Sequence, residues 1–513
     1  MASSSSSVSG LVSGMDTATI ISQLMQIEAQ PQAALQRRVS TEQKAVSSLQ
    51  TVNAKLANVA TKAGTLSSLV AWSPVKATSS NSGVTVTTST GAAPASLTLA
   101  VGQLATATVV DYGTHALTQQ VAGGATTVTL TLAGGAARTV DTGDGTLKGL
   151  VDALNGGNFG VRATLVKQTD GSYRVQVSST KTGPSSGFSL TDASGGPLAI
   201  DGPATVTTPG QVARISVGPD TVESDTNTFA DLMPGVSVTL GSGASGSATI
   251  GITRDSQALA DQITSLVSAA NAALGDIDSL TAYNSSTKTA GPLAGDATLR
   301  SARDQILSAV TKGFNGSSFA AAGIQVDRTG NLTFDAAKFK TAYEADPAGT
   351  AAKFAGTASY VGTGTIAMTG STWRTAPGSY AVDQAAGTIN GTPATVSGNL
   401  LSGATNTAVE GLTLSATAGA TGTVTYQQGF AASLEALAQR LSNSTNGTVT
   451  NAITGRNASI KSMNDNIAAW DVRLESRKAA LQRQYSSLEV SLGKLQDQAS
   501  WLSGQIKSLP SSS

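Results

Sequence analysis

The C-terminal part of the sequence carries an apolar stripe with helical spacing. Its members follow one another mostly in steps of three and four residues, which is the pattern of a helix whose seam packs against another helix. The stripe comprises Ile460, Met463, Ile467, Trp470, Leu474, Leu481, Tyr485, Leu488, Leu492, Leu495, Ala499, Leu502, Ile506 and Leu509. We therefore predict a long C-terminal helix that needs apolar partners along its length.

A second stripe of the same kind lies near the N-terminus. It comprises Leu35, Val39, Val46, Leu49, Val52, Leu56, Val59, Ala63 and Leu66. Two interpretations stay open: the terminal helices form a bundle within one molecule, or they pack against neighbouring copies. We expect both stripes to be incompletely covered in a lone molecule, because a protein with such ends is typical of an assembly.

A shorter amphipathic segment precedes the second stripe. Asp16 or Thr17 can cap a helix that carries Ile20, Leu24 and Ile27, and Pro31 interrupts it. The longer helix then runs to about residue 70. Together with the C-terminal helix, these segments predict a helical leg.

Between the terminal helices, the spacing of apolar residues alternates between strand and helix. From Val75 the period is two, which predicts strands with one short helix at Leu147–Leu154. Helical spacing returns at Asp255, with Asp296 and Asp335 as helix caps. Residues 357–428 are again rich in Gly and Thr with alternating apolar positions, and from there to Pro510 the chain is predicted to be helical throughout.

These patterns predict an α+β multidomain fold, in which a helical, coiled-coil leg formed by both termini and central helices carries small β-rich head domains as insertions. The predicted segments are N-terminal leg helices with a partner-dependent start (1–75), a β head domain (76–110 with 212–254), a second β head domain (111–211), a central helical part of the leg (255–356), an extra β insertion domain (357–428) and a C-terminal coiled-coil leg (429–513).

The composition excludes several classes of function. Lys and Arg together number 32, as do Asp and Glu, so a nucleic acid or an acidic membrane is not favoured as a partner. No cysteine is present, which excludes disulfides and thiol nucleophiles.

The Ser-rich N-terminus does not look like a secretory signal peptide, and no apolar stretch is long enough for membrane insertion. We predict a secreted protein exported without a cleaved signal peptide.

Three short motifs resemble catalytic or phosphate-binding signatures, and each lacks its context. Residues 183–187 fit G-x-S-x-G, but the single histidine, His115, precedes them, so an exposed turn is favoured. Asp141-Thr142-Gly143 has no second copy and is predicted to form a hairpin turn. The glycines of residues 241–246 are followed by a predicted strand, not a helix. We therefore predict no catalytic residues, no metal, no cofactor and no enzyme activity.

Several motifs resemble the flagellar filament cap family, also called FliD or hook-associated protein 2. Residues 9–16, Ser-Gly-Leu-Val-Ser-Gly-Met-Asp, resemble the family opening S-G-L-x-S-G-[LM]-D. Residues 291–296, Gly-Pro-Leu-Ala-Gly-Asp, followed by Leu299-Arg300, resemble its central G-x-L-x-G-D signature. Residues 145–183 resemble a repeat inserted in flagellins and hook proteins. The resemblance extends from about Ser9 to Leu509 in the family order.

The resemblance implies a cap that oligomerises, as a ring of like copies, at the distal tip of the growing flagellar filament. Flagellin would fold and insert beneath it, an export chaperone would bind the C-terminal helix, and a host glycan or surface is a further partner. From the apolar stripes we predict nine residues that contact the filament or other legs: Leu11, Ile20, Leu24, Ile27, Leu488, Leu492, Leu495, Leu502 and Ile506. The alternatives are another axial protein, such as flagellin or a hook–filament junction protein, and a surface adhesin or carbohydrate-active protein that uses the β head.

Overall fold

The computed structural model describes residue 14 and residues 16–200, 204–314 and 316–507. The chain divides into two compact units, one formed by Met1–Trp72 with Ser256–Ser513 and the other by Ser73–Asp255. The first unit is therefore discontinuous in sequence, and both ends of the chain belong to it. The predicted α+β multidomain class is confirmed; the finer division into head and leg segments stays a prediction.

The described α-helices of the first unit pack as one bundle, and α3 is the one α-helix among the described residues of the second unit. In chain order the α-helices are α1 (Thr17–Glu28), α2 (Gln30–Ser67), α3 (Leu147–Gly156), α4 (Ser256–Thr281), α5 (Ala297–Thr311), α6 (Ala336–Ala345), α7 (Pro347–Ala355), α8 (Phe430–Ser442) and α9 (Thr448–Lys507).

The helix boundaries follow from local chemistry. Asp16 accepts a hydrogen bond from the backbone N–H of Thr19 at 3.0 Å and so caps α1. Pro31 lies in the first turn of α2. Backbone N–H groups in the first turn have no partner within the helix, so proline costs no hydrogen bond at this position. Asp296 and Asp335 cap α5 and α6 in the same way, as predicted.

One apolar core joins the helices of the first unit. The N-terminal stripe faces inward: Val39, Val46, Leu49, Val52, Leu56, Val59, Ala63 and Leu66 are all buried. Helix α2 packs along α4, α8 and α9. At the end of α2, the ring of Trp72 lies 5.0 Å from that of Phe354, and its carbonyl accepts a 2.6 Å hydrogen bond from Tyr343 Oη. Aromatic packing thus closes this end of the bundle.

Two expectations about the terminal regions were wrong. The N-terminal stripe was expected to be incompletely covered in a lone molecule, but α4 and α8 cover it within the chain, as the intramolecular interpretation allowed. The C-terminal region is not one continuous helix, since residues 443–447 separate α8 from α9. Asn443 Oδ1 accepts hydrogen bonds from the N–H groups of Thr445 and Asn446, and this local turn competes with helix. The short helix α7 was also not predicted.

The second unit consists of small antiparallel sheets. Its strands are β1 (Val75–Ser79), β2 (Val84–Thr88), β3 (Ala95–Gln103), β4 (Ala107–His115), β5 (Thr127–Leu132), β6 (Arg138–Asp141), β7 (Val161–Lys167), β8 (Tyr173–Thr182), β9 (Phe188–Asp192), β10 (Thr205–Thr208), β11 (Ala213–Val217), β12 (Asp220–Ser224), β13 (Thr228–Met233), β14 (Val236–Leu240) and β15 (Gly246–Arg254). The sheet orders are β1-β15-β3-β11-β12, β13-β14-β2, β10-β4-β8-β7 and β6-β5-β9.

Two separate cores lie within the second unit. One is formed by the first two of those sheets, with Leu99, Ile215, Phe229 and Val238 at its centre. The other joins the remaining sheets to α3, whose Leu150 and other apolar residues are buried. Both cores depend on the alternation that places every second side chain of a strand on one face.

Residues 357–428 form an insertion within the first unit. Short strands β16 (Tyr283–Asn284), β17 (Thr289–Ala290), β18 (Ile324–Val326) and β19 (Leu332–Phe334) precede it. The insertion contains β20 (Thr357–Thr363), β21 (Ile366–Gly370), β22 (Gly378–Asp383), β23 (Thr388–Ile389), β24 (Thr392–Pro393), β25 (Thr395–Ser397), β26 (Leu400–Ser402), β27 (Thr413–Ala416) and β28 (Thr421–Gln427). Its two sheets, β20-β28-β22-β23-β24 and β21-β27-β26-β25, enclose a core of their own.

The insertion enters and leaves the bundle at one point. Its first and last strands pair along their whole length, with Thr357 opposite Gln427. A Cβ on Gly356 would lie 2.6 Å from Gln427 O, and one on Gly429 would lie 2.4 Å from Phe354 O. Gly356 also has φ +107°, so only glycine allows the two backbones to cross this closely.

The three catalytic-like motifs lie in a turn, in a connection and at the start of a strand. Ser185 is exposed on a short 3-10 turn, as predicted, and β15 follows the glycines at residues 241–246, also as predicted. Residues 141–143 connect β6 to α3, so the predicted hairpin was wrong.

Among the described residues, no three His, Cys, Asp or Glu side chains are grouped as metal ligands. No described helix combines the length and apolarity needed to cross a membrane.

Candidate partner-binding site

The candidate site lies at the end of the bundle where α1 and α2 pack against α9. Helix α9 is 60 residues long and runs antiparallel to α2. Two side-chain contacts set their register: Arg456 Nη1 to Glu42 Oε2 at 2.6 Å and Gln32 Nε2 to Asp471 Oδ1 at 2.5 Å. A third contact, Arg477 Nε to Glu28 Oε1 at 2.9 Å, joins α9 to the end of α1. As the α9 residue number rises, its partner's number falls, so the later part of α9 extends towards α1.

Helix α1 covers the middle of α9 incompletely. Ile21 of α1 and Leu481 of α9 are buried, whereas Leu474 is half-buried. A groove of about 740 Å³ remains between the two helices, lined by Ile21 and Met25 on one side and Leu474 on the other. Leu481 is the last buried residue of α9 among those described.

Beyond this point α9 continues as what we call the distal segment, residues 486–507. At a rise of about 1.5 Å per residue, this segment is about 33 Å long. None of the side chains described between residues 486 and 506 is buried. Large apolar side chains are among them: Leu502 is 55% exposed and Ile506 is 61% exposed. Contiguous exposed apolar surface of this kind is typical of a protein interaction site.

The apolar residues of the distal segment fall on two faces. At roughly 100° per residue, the apolar positions predicted from the stripe lie within an arc of about 80°, which we call the seam face. Its members are Leu488, Leu492, Leu495, Leu502 and Ile506. Val490 and Trp501 lie on the roughly opposite face, and Trp501 is 66% exposed. Most of the large apolar side chains of the distal segment therefore lie on the seam face.

The structure places eight of the nine predicted contact residues. Leu11 lies outside the described residues. On α1, Ile20 is half-buried, while Leu24 and Ile27 are exposed. On the seam face, Leu492 is half-buried and the others are exposed: Leu488, Leu495, Leu502 and Ile506. Their role in binding stays a prediction.

Two features of the site were missed from the sequence. Trp501 and Val490 are eleven residues apart, which is close to three full helical turns, so their common face could have been found from spacing alone. The contact between Glu42 and Arg456 joins residues far apart in sequence, and no local signal marks it.

Asp16 links the opening motif to this site. Besides the backbone of Thr19, it accepts a hydrogen bond from the hydroxyl of Thr19 at 2.5 Å. The Thr19 hydroxyl and then its backbone N–H hold the pKa of Asp16 below its ordinary value. The ionised carboxylate also suits the positive end of the α1 dipole. The last residue of the motif therefore fixes where α1 begins.

Fold and site together are typical of a structural subunit that meets other proteins through a projecting helix. Sequence comparison assigns the family. A model of the flagellar hook-associated protein 2 N-terminus matches residues 13–108, and one of its C-terminus matches residues 210–497. The chain belongs to the flagellar hook-associated protein 2 family, which confirms the resemblance found from its motifs.

Individual relatives agree with this assignment. The lateral flagellar hook-associated protein 2 of Vibrio parahaemolyticus is 32% identical over 42% of this chain and 52% of its own length. The flagellar hook-associated protein 2 of Escherichia coli is 28% identical over 74% of this chain and 87% of its own length. The crystal structure of domains D1-D2-D3 of the flagellar cap protein FliD from Escherichia coli shares the fold, with a TM-score of 0.55 and 22% identity over 80% of this chain and 99% of that one.

Proposed function

We propose that this protein caps the distal tip of a bacterial flagellar filament, where several copies assemble and promote the folding and insertion of flagellin. The observation that carries the proposal is the apolar seam face of the distal segment, exposed on a helix whose earlier part packs against α2 and α1 of its own chain. Membership of the hook-associated protein 2 family supports it and favours it over the flagellin, junction-protein and adhesin alternatives.

The geometry suits reversible contact. The buried N-terminal stripe and the polar contacts between α2 and α9 order the leg within one subunit, so binding does not have to order the whole leg. Burying one large apolar side chain contributes about 1.5–3 kcal/mol. The five seam residues together gain roughly 7–15 kcal/mol, which an association cost of about 4–15 kcal/mol largely offsets. One seam face therefore gives a contact that can break and reform, while several copies together stay attached. No bond chemistry is needed for this role.

The proposed partners are like copies in a ring and the flagellin subunits of the filament. We assign the contacts to the predicted residues: Leu11, Ile20, Leu24, Ile27, Leu488, Leu492, Leu495, Leu502 and Ile506. An export chaperone for the C-terminal helix and a host glycan or surface are further proposed partners. The proposed location is the flagellum tip, outside the cell.

The proposal can be tested by changing the seam face in the full chain. The triple variant Leu488→Gln, Leu495→Gln, Leu502→Gln keeps good helix formers at exposed positions, so α9 should persist. We expect loss of assembled species in sedimentation experiments and loss of filament growth when the variant replaces the normal copy in its host. Circular dichroism checks that helix content is unchanged.

The matched control is Val490→Gln together with Val472→Gln. Both valines are on α9, both are at least as exposed as the seam leucines, and both lie away from the seam face. The control should assemble and support growth as the unchanged protein does. Normal growth with the triple variant would refute the proposed role of the seam face.

A further inference from the structure

A pocket of about 440 Å³ lies where the β insertion joins the helical bundle. We call it the junction pocket. The C-terminal half of α5 and the middle of α8 form one wall, and Pro377 and the end of β28 form the other. Its volume is in the range of small-molecule sites. The partner-binding site described above uses none of its residues.

The two charged side chains that line the junction pocket are both positive. Lys312, at the end of α5, and Arg440, on α8, line it, and none of the described lining residues carries a carboxylate. Neither cation takes part in any of the ion pairs found among the described residues. A guanidinium and an ammonium that face one cavity without a counter-charge are suited to a carboxylate.

The rest of the described lining comprises three glutamines, two serines, one glycine and five apolar residues. Gln305, Gln427 and Gln428 offer amide groups, each able to donate and accept hydrogen bonds. Gln428 Nε2 donates to Thr375 O at 2.9 Å, which fixes that side chain and leaves its oxygen as an acceptor. Exposed Pro377 and half-buried Ala309 supply apolar surface to the cavity, and buried Phe319 and Leu437 lie beneath it.

We propose that the junction pocket binds a sugar acid. The carboxylate lies between Lys312 and Arg440, the ring hydroxyls pair with the glutamine amides, and the C–H face of the ring packs on the apolar surface of Pro377 and Ala309. A simple carboxylic acid would use the cations but leave the amides unpaired. A neutral sugar would leave the two positive charges without a partner. The combination of charge, amides and apolar surface fits one ring that carries one carboxylate.

A ligand here would also join two parts of the first unit. Arg440 and Lys312 belong to the bundle, whereas Pro377 belongs to the insertion. Strands β20 and β28 form the covalent connection at this point. A molecule that contacts both sides would hold the insertion in one orientation on the bundle, so binding should protect this junction against hydrogen exchange.

The test uses the full chain and three probes: glucuronate, glucose and acetate. Titration calorimetry should show millimolar or tighter binding of glucuronate, with glucose and acetate about tenfold weaker or more. Lys312→Gln and Arg440→Gln should each weaken glucuronate binding by about tenfold, since each removes a hydrogen bond to a charged group. The matched controls are Lys338→Gln and Arg328→Gln, which remove exposed cations outside the pocket.

Specific outcomes would overturn the inference. These are no glucuronate binding at millimolar concentration, equal binding of acetate, or unchanged binding by the double variant Lys312→Gln, Arg440→Gln. Binding of an acidic peptide but not of glucuronate would also overturn it in favour of a protein partner. Because the readout is binding and not filament growth, failure here leaves the proposed cap function untouched.

Discussion

Arg456 of α9 reaches Asp296, the residue that caps α5, with 3.4 Å between Arg456 Nη2 and Asp296 Oδ2. The other terminal nitrogen of Arg456 donates to Glu42 of α2 at 2.6 Å. Asp296 is the last residue of the G-x-L-x-G-D motif, and its second oxygen accepts the N–H groups of Thr298 and Leu299. One carboxylate thus starts α5 and fixes α9 beside it, which gives this motif a structural role.

Replacing Arg456 with Gln should loosen α9 from the bundle. The change removes charge-assisted contacts with two carboxylates that are only partly exposed, so we expect the free energy of unfolding of the first unit to fall by about 1–2 kcal/mol. Thermal unfolding followed by circular dichroism measures the effect. Lys461→Gln is the control, because its ion pair with Asp465 lies on the exposed surface of α9. Equal stability of both variants would show that the contact is unimportant.

Replacing Tyr343 with Phe should destabilise the closed end of the bundle. The hydroxyl of Tyr343 donates to the carbonyl of Trp72 in a buried site, and the change leaves that acceptor without this donor. We expect a loss of about 1–2 kcal/mol in the free energy of unfolding. Tyr283→Phe should have no effect, because Tyr283 is exposed. Denaturant unfolding of the two variants side by side decides the question.

Replacing Glu435 with Gln should make the protein more stable at neutral pH. Burial of Glu435 between α8 and α2 raises its pKa above the ordinary value, and the hydroxyl of Ser67, which donates to it at 2.5 Å, offsets this only in part. The folded state therefore favours the protonated form of Glu435. The stabilising contribution of this protonated acid is complete below the usual pKa of about 4.3, and it is lost as the pH rises through the higher pKa of the folded state. Gln keeps a neutral hydrogen-bonding group there.

The measurement is the melting temperature from pH 4 to pH 8. The advantage of Glu435→Gln should be greatest at the upper end and should disappear towards pH 4. Glu475→Gln, an exposed carboxylate on α9, should show no such trend. A pH-independent difference for Glu435→Gln would contradict the assignment.

Replacing Asp16 with Ala should fray the start of α1. The helix then loses the side chain that satisfies the N–H of Thr19, and amide hydrogen exchange in the first turn should become faster at neutral pH. Asp16→Asn retains a capping oxygen and should exchange at nearly the original rate. Because the pKa of Asp16 is lowered, the ionised cap is present at neutral pH and is lost only as the pH falls through that lowered value.

Much of the fold could be predicted from the sequence because the local signals are strong. Asp16, Pro31, Asp296 and Asp335 mark helix starts by chemistry that acts within one turn. The alternation of apolar residues likewise predicts β5 at Thr127–Leu132, where the structure has it. The family itself was recognised from two short motifs.

The expectation about how far the N-terminal stripe is covered failed because that coverage depends on distant partners. A stripe shows that a helix face needs apolar cover, but it does not show whether α4 or a second molecule supplies it. For this reason Leu49 and Leu488 looked alike in the sequence, although one is fully buried and the other is exposed. The junction pocket could not be predicted at all, since Lys312 and Arg440 meet only through tertiary packing.

The glycine crossing at Gly356 and Gly429 has a consequence for how such a chain can change over evolution. Because the intervening domain leaves and returns through a single strand pair, it can be lengthened, exchanged or excised with a short linker while α7 and α8 keep their places in the core. The structure of the bundle then stays constant, while the sequence of the inserted domain is free to diverge under selection from outside the cell.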